Sequence, residues 1–301
     1  MLEMALKFIK VIIGVSLAII LCFAGCKMIL KKMLTVPMVR NGYQTEFEYQ
    51  CPLEKKYAFN GSFEIDSISF PSNDETIKRF TAWFPSEMKS SDKKWPVVVM
   101  ANGTGVSASR YTPIFEHLAS WGFIVVGNED WSSWFGHSTS TTLDFILSAN
   151  SDESSPFYRK VNCEAIGLAG HSQGGVATFY AATQFENSDK YKAICSMSGN
   201  NPELASLINA PMLMISGTAG LDAQASESMN SCFDLISGQP VVSGILKDTD
   251  HGIVLPRGDA YTTAWMCWWL NGEEEAERCF FGDNAEISSN PGWKDIKRKG
   301  I

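Results

Sequence analysis

Histidine is scarce in this chain of 301 residues: there are four. None of the eight cysteines forms a Cys-x-x-Cys pair or lies beside a histidine at zinc-ligand spacing, which argues against a metal site. There is no internal repeat and no low-complexity tract, which sets aside solenoids and compositionally disordered chains. Neither a Gly-x-Gly-x-x-Gly run nor a P-loop lysine is present, so the glycine-rich "NGTG" at 102–105 is a weak phosphate cradle. Positive charge is short too: 25 Lys and Arg stand against 33 Asp and Glu, a net of −8. Residues 1–33 hold five lysines and one glutamate, so the remaining chain bears −12. An acidic body argues against nucleic acid or an anionic membrane surface as a partner of the folded part.

What is present begins with an apolar N-terminus. Residues 11–26, "VIIGVSLAIILCFAGC", carry no charge and are flanked by Lys7 and Lys10 before and Lys27, Lys31 and Lys32 after. Sixteen residues fall short of the ~20 of a spanning helix but suit the core of an export signal. "FAGC" at 23–26 resembles the lipobox of bacterial lipoproteins, which makes Cys26 a candidate lipidation site. A retained signal anchor is the rival reading, and lysines on both sides leave its orientation open. The expectation is an exported, extracytoplasmic protein attached to a membrane through this segment, with residues 34–60 as linker and N-terminal extension.

From residue 62 the pattern changes. "SFEIDSISF" (62–70) and "TIKRFTAWF" (76–84) alternate and read as a hairpin. "PVVVMA" (96–101), "FIVVGN" (123–128), "AIGLAG" (165–170), "YKAICSM" (191–197), "APMLMISG" (210–217) and "PVVSGILK" (240–247) are apolar runs of the kind buried on both faces. Helical segments are expected between them, at 111–122, 141–150, 176–185 and 223–236, with a closing helix at 260–270. Strands alternating with helices predict an α/β fold: a mostly parallel central sheet covered by helices on both faces, opened by an antiparallel hairpin. In such a fold, function gathers in loops beyond the carboxyl ends of the strands.

One such loop is "GHSQG" at 170–174. A serine between glycines at this spacing, after a buried strand, marks a sharp strand-to-helix turn: the residues two before and two after the serine crowd each other, and only glycine fits. This is the nucleophile elbow pattern of α/β-hydrolases. Ser172 needs a base. In this fold the order along the chain is serine, acid, histidine, which His251 satisfies and His117, His137 and His171 do not. The acid belongs after the strand at 210–217, where the carboxylates are Asp222, in the loop, and Glu227, in the next helix. Asp222 is the choice and Asp250 the main alternative. The backbone N–H groups of Gln173 and Thr104, with Gly103 next, are the candidate oxyanion donors.

"PVVVMANGTG", "YTPIFEHLASWGFIVV", "IGLAGHSQGG", "GTAGLD" and "DHG", in that order, resemble the secreted α/β-hydrolases of the cutinase-like polyester hydrolase and dienelactone hydrolase branch. The resemblance covers roughly residues 62–282. It implies a catalytic serine, aspartate and histidine at Ser172, Asp222 and His251, and oxyanion residues at Thr104 and Gln173.

The combined expectation is a catalytic domain over 61–282 followed by a C-terminal tail over 283–301. It is a serine hydrolase that cleaves small-molecule or polymeric carboxylic esters through an acyl-serine intermediate, with no cofactor. An acyltransferase on the same triad and a non-catalytic protein on a hydrolase scaffold are the other readings. Trp131 and Trp134 are expected either to line the substrate cleft or to pack as partly buried loop aromatics. Six cysteines in an exported body suggest a disulfide, and Cys267 with Cys279, twelve residues apart across the stop of the last helix, is the expected pair.

Overall fold

A computed structural model describes residues 37–300. The N-terminal apolar run and Cys26 lie outside the described residues. The elements, in chain order, are α1 (Pro52–Ala58), β1 (Ile65–Pro71), β2 (Arg79–Pro85), β3 (Trp95–Ala101), α2 (Thr112–Ser120), β4 (Ile124–Asn128), α3 (His137–Ser151), β5 (Val161–His171), α4 (Gln173–Ala181), β6 (Tyr191–Met197), α5 (Pro202–Ala205), β7 (Met212–Ser216), α6 (Ala225–Leu235), β8 (Val241–Leu246), α7 (His251–Asn271), α8 (Glu274–Glu277), α9 (Glu286–Ser289) and β9 (Trp293–Lys299).

The strands form one sheet in the order β1-β2-β4-β3-β5-β6-β7-β8-β9. The run from β4 through β8 is parallel, and the antiparallel pairs lie at its two ends: β1–β2 and β2–β4 on one side, β8–β9 on the other. This is the α/β-hydrolase sheet. The apolar runs behave as strands covered on both faces: Val98 and Met100 of β3 join a core with Phe115 and Leu118 of α2 and Trp265 of α7. Val97 and Val99, pointing the other way, join Leu143 and Ile146 of α3 and Phe179 of α4. Alternate side chains of one strand thus supply two cores, which is why the β3 run shows no polar positions.

Four expectations are revised. Residues 283–301 are not a tail, because they supply α9 and then β9, which pairs antiparallel with β8. β9 reads "WKDIKRK", and its lysines and arginine at an exposed sheet edge hid the strand from hydropathy. The stretch expected as linker contains α1, docked on the body. Glu286 accepts the N–H groups of Leu53 and Glu54 at the start of α1, at 2.8 and 2.7 Å, and buried Glu54 pairs with Arg257 at 2.6 Å. The closing helix starts earlier than expected, at His251 itself.

The fourth revision concerns the cysteines. All six described cysteines are free thiols, so the expected Cys267–Cys279 bridge is absent. Both side chains are fully buried in the aromatic core around Trp265 and Phe280. Burial pushes both thiols up, and nearby carboxylates, Glu273 at Cys267 and Glu286 at Cys279, add to the rise. Here they pack as small apolar side chains.

Candidate active site

β5 runs into α4 through Ser172, whose φ of +61° and ψ of −126° lie in a region that side chains other than glycine rarely occupy. The turn is closed by the Ser172 N–H, which donates to the Met197 carbonyl at 2.8 Å. The flanking glycines are obligatory. A Cβ on Gly170 would stand 2.2 Å from the Gly174 carbonyl oxygen, and one on Gly174 would stand 2.2 Å from that of Ala101. The turn therefore projects Ser172 at the carboxyl end of the central strand.

The structure brings Ser172, His251 and Asp222 together from the elbow after β5, the first residue of α7 and the turn after β7. Ser172 Oγ lies 2.7 Å from His251 Nε2, and His251 Nδ1 lies 2.6 Å from Asp222 Oδ1. Asp222 sits in a short 3-10 turn, Gly220–Gln224, after β7. Its second oxygen accepts from Ser198 Oγ at 2.5 Å and from the Gly217 N–H at 2.8 Å. Burial opposes its ionisation, but the hydrogen bonds from His251, Ser198 and Gly217 outweigh that and hold the carboxyl below its usual range. With its second oxygen so occupied, the carboxylate presents Oδ1 to the Nδ1–H of His251 and leaves Nε2 free to face Ser172.

The rival acids do other work. Asp250 is the N-cap of α7, accepting the Gly252 N–H at 3.0 Å. Glu227 is exposed on α6. Among the other histidines, His137 opens α3 at the surface, and His117 is buried beside Asp259, with 2.5 Å between Nδ1 and Oδ2.

On the oxyanion side, the loop after β3 is clamped. Asn102 Nδ2 donates to the carbonyls of Asn128 and Asp130 at 2.9 and 2.7 Å, and the Gly105 N–H donates to the Trp131 carbonyl at 2.7 Å. The Gly103 N–H is spent on the buried Tyr111 hydroxyl at 3.0 Å, which removes it as an oxyanion donor. A Cβ on Gly103 would lie 3.6 Å from Ser172 Cβ, so this loop faces the serine directly. The next N–H, that of Thr104, has no protein acceptor among the described residues. Gln173 stands at the first position of α4, where a backbone N–H has no partner within the helix. Its side chain accepts from Ser132 Oγ at 2.9 Å and from the Trp134 N–H at 2.8 Å, tying the elbow to the loop after β4. Trp131 and Trp134 on that loop are half exposed, and the Trp134 backbone is hydrogen-bonded to the Gln173 side chain.

Two contributors escaped the sequence reading. Ser198, at φ +52°, belongs to the loop after β6 and touches Asp222 only through the fold. His171 adjoins Ser172 but turns away from it, and its Nε2 is 2.7 Å from the His251 carbonyl. Burial first, and the neighbouring His251 second, depress His171 to about 4. It is therefore neutral near pH 7 and its Nε2–H donates to that carbonyl. A histidine directly before the serine is the one signal that could have flagged it.

A strained serine at a strand-to-helix elbow, in a sheet of this order, defines the α/β-hydrolase class. The chain belongs to the PET hydrolase-like family, whose sequence profile matches residues 57–290. Among curated proteins it is similar to chlorophyllase-1 of Citrus unshiu and of Citrus sinensis, both chloroplastic, at 28% identity over 95 residues. That alignment covers 30% of this chain, and the chain spans 29% of the length of these relatives.

Proposed function

We propose that the protein is an exported serine hydrolase of carboxylic esters, held at a membrane by its N-terminal segment. The observation that carries this is the continuous hydrogen-bonded chain from Ser172 through His251 to Asp222, at 2.7 and 2.6 Å, with the serine held at φ +61°. Membership of the PET hydrolase-like family supports ester bonds, small-molecule or polymeric, as the target.

In this reading Ser172 Oγ attacks the ester carbonyl while His251 Nε2 takes its proton. Asp222 holds the imidazole in the tautomer that can do so and balances the charge it gains. The N–H groups of Thr104 and Gln173 receive the developing oxyanion. Collapse expels the alcohol with the proton from His251 and leaves an acyl-serine. Water, deprotonated by the same imidazole, attacks this ester, and the acid and Ser172–OH are released. The residues themselves supply base, nucleophile and oxyanion donors.

The test is a chromogenic ester series from acetate to long chain, with a fluorophosphonate probe. Wild type should turn over esters and take the probe at Ser172 alone, and Ser172→Ala should do neither. Retained turnover in Ser172→Ala, or labelling elsewhere, would overturn the mechanism. Transfer to an added alcohol in preference to water would reassign the protein as an acyltransferase on the same triad.

A further inference from the structure

This inference rests on the proposed ester chemistry at Ser172. Among the described residues ten large apolar side chains are exposed, and five of them lie on segments next to the candidate site residues: Trp131, Trp134 and Phe135 in the loop after β4, Leu221 in the turn after β7 and Ile253 in the first turn of α7. The Trp131 carbonyl holds the loop carrying Thr104. Trp134 is bonded to Gln173, and Phe135 follows it. Leu221, 82% exposed, precedes Asp222, and Ile253 is two residues beyond His251. Scattered apolar side chains need no explanation, but half of the exposed large ones lie on the segments that carry or hold the candidate site residues, which marks that face as a surface meant to be covered.

The point where the chain enters the body says what covers it. The Met38 N–H donates to the Arg110 carbonyl at 2.9 Å, and Met38 Cε lies 3.8 Å from where a Cβ on Gly252 would stand. Gly252 follows His251, so the body begins, at Met38, beside the turn of α7 that carries His251. The uncharged run ends at Cys26, twelve residues earlier, which allows a reach of roughly 40 Å at full extension. Attachment on the opposite face would hold the opening away from any bilayer that took up the run. Attachment here brings the opening to its surface. The body, at −12, gains nothing from anionic headgroups, so its attraction to a bilayer must be apolar.

We propose that the apolar rim inserts at the headgroup–acyl boundary of the phospholipid bilayer to which the N-terminal segment tethers the chain, so that Ser172 faces the lipid and takes ester bonds of membrane-resident, long-chain amphiphiles.

The test uses the full chain in phosphatidylcholine vesicles whose acyl chains are brominated near the glycerol. Residues 1–37 contain no tryptophan, so the tether itself cannot be quenched. Quenching of Ser172→Ala protein is expected, and most of it should vanish when Trp131→Phe and Trp134→Phe are added. No such difference, whether because the rim stays in water or because the N-terminal segment covers it, overturns the proposal. The Ser172→Ala background keeps this readout independent of whether the esterase reading holds. In active protein, the pair Phe135→Ser and Leu221→Ser should slow hydrolysis of a long-chain fluorogenic ester in the vesicle about tenfold. Turnover of a short water-soluble ester should be unchanged. Equal effects on the two substrates, or none on either, would refute the docking, whereas loss of no activity in Ser172→Ala would refute only the chemistry.

Discussion

Replacing His171 with glutamine should flatten the acid side of the stability curve. His171 is buried and neutral, with its ring centroid 4.9 Å from that of His251 and its Nε2–H on the His251 carbonyl. Its folded value, about 4, lies below the 6.5 of an exposed histidine. The unfolded chain therefore binds a proton that the folded chain refuses. The contribution of the neutral buried ring is fully present above pH 6.5, shrinks as pH falls below that value, and is gone below pH 4. A displacement from 6.5 to about 4 corresponds to about 3 kcal/mol over the whole window, of which about 2 kcal/mol is lost between pH 7.5 and pH 5. Glutamine reaches a similar distance and keeps a donor for the His251 carbonyl, but it does not titrate. The assay is urea unfolding of the full chain in dilute non-ionic detergent at pH 7.5, 6, 5 and 4.5. Wild type should lose about 2 kcal/mol more than His171→Gln between pH 7.5 and 5. The groups that titrate in both proteins, Asp222 included, cancel in the difference. Equal losses in the two proteins would refute the claim that His171 is buried uncharged.

Asp222→Asn should lower kcat by about 10⁴, because the imidazole loses the acceptor that sets its tautomer. Asp250→Asn should leave kcat within a few-fold, since asparagine also caps α7, and the reverse ranking would give the acid to Asp250. Ser198→Ala removes a 2.5 Å bond to Asp222 and should lower kcat about tenfold at unchanged KM, with Ser198→Thr restoring most of it. A KM change alone would show that Ser198 does not act through Asp222. Gly170→Ala places a methyl 2.2 Å from the Gly174 carbonyl oxygen and should cost about 3 kcal/mol or more, read as urea midpoint, along with loss of probe labelling. Iodoacetamide added in denaturant without reductant should alkylate Cys267 and Cys279, and a disulfide-linked peptide found by mass spectrometry would contradict their packing as free thiols.

The elements legible in the sequence are those whose cause is local. The apolar run at 96–101 has to be a strand buried on both faces because nothing polar interrupts it, and those at 123–128 and 191–197 carry polar side chains only at Asn128, Lys192 and Ser196. The two glycines around Ser172 announce the elbow by their spacing, although only Gly170 is crowded within the motif, by Gly174, while Gly174 is crowded by the Ala101 carbonyl of β3. The order serine, acid, histidine then narrows four histidines to His251. What the sequence left open depends on distance in the chain. On paper Asp222 is preferred to Asp250 only by its place in the loop after β7. Only the return of β7 beside β8 puts Asp222 at 2.6 Å from His251 Nδ1 and leaves Asp250 capping the helix. Ser198 and His171 act through partners 24 and 80 residues away, where no spacing rule reaches. The strand at 293–299 and the helix at 52–58 looked like tail and linker because their side chains are charged. They are ordered by pairing along β8 and by the buried contacts of Glu54 and Glu286, long-range interactions that composition does not encode. The thiols of Cys267 and Cys279, spaced as if for a bridge, stay separate because the tertiary core uses each as a small apolar side chain.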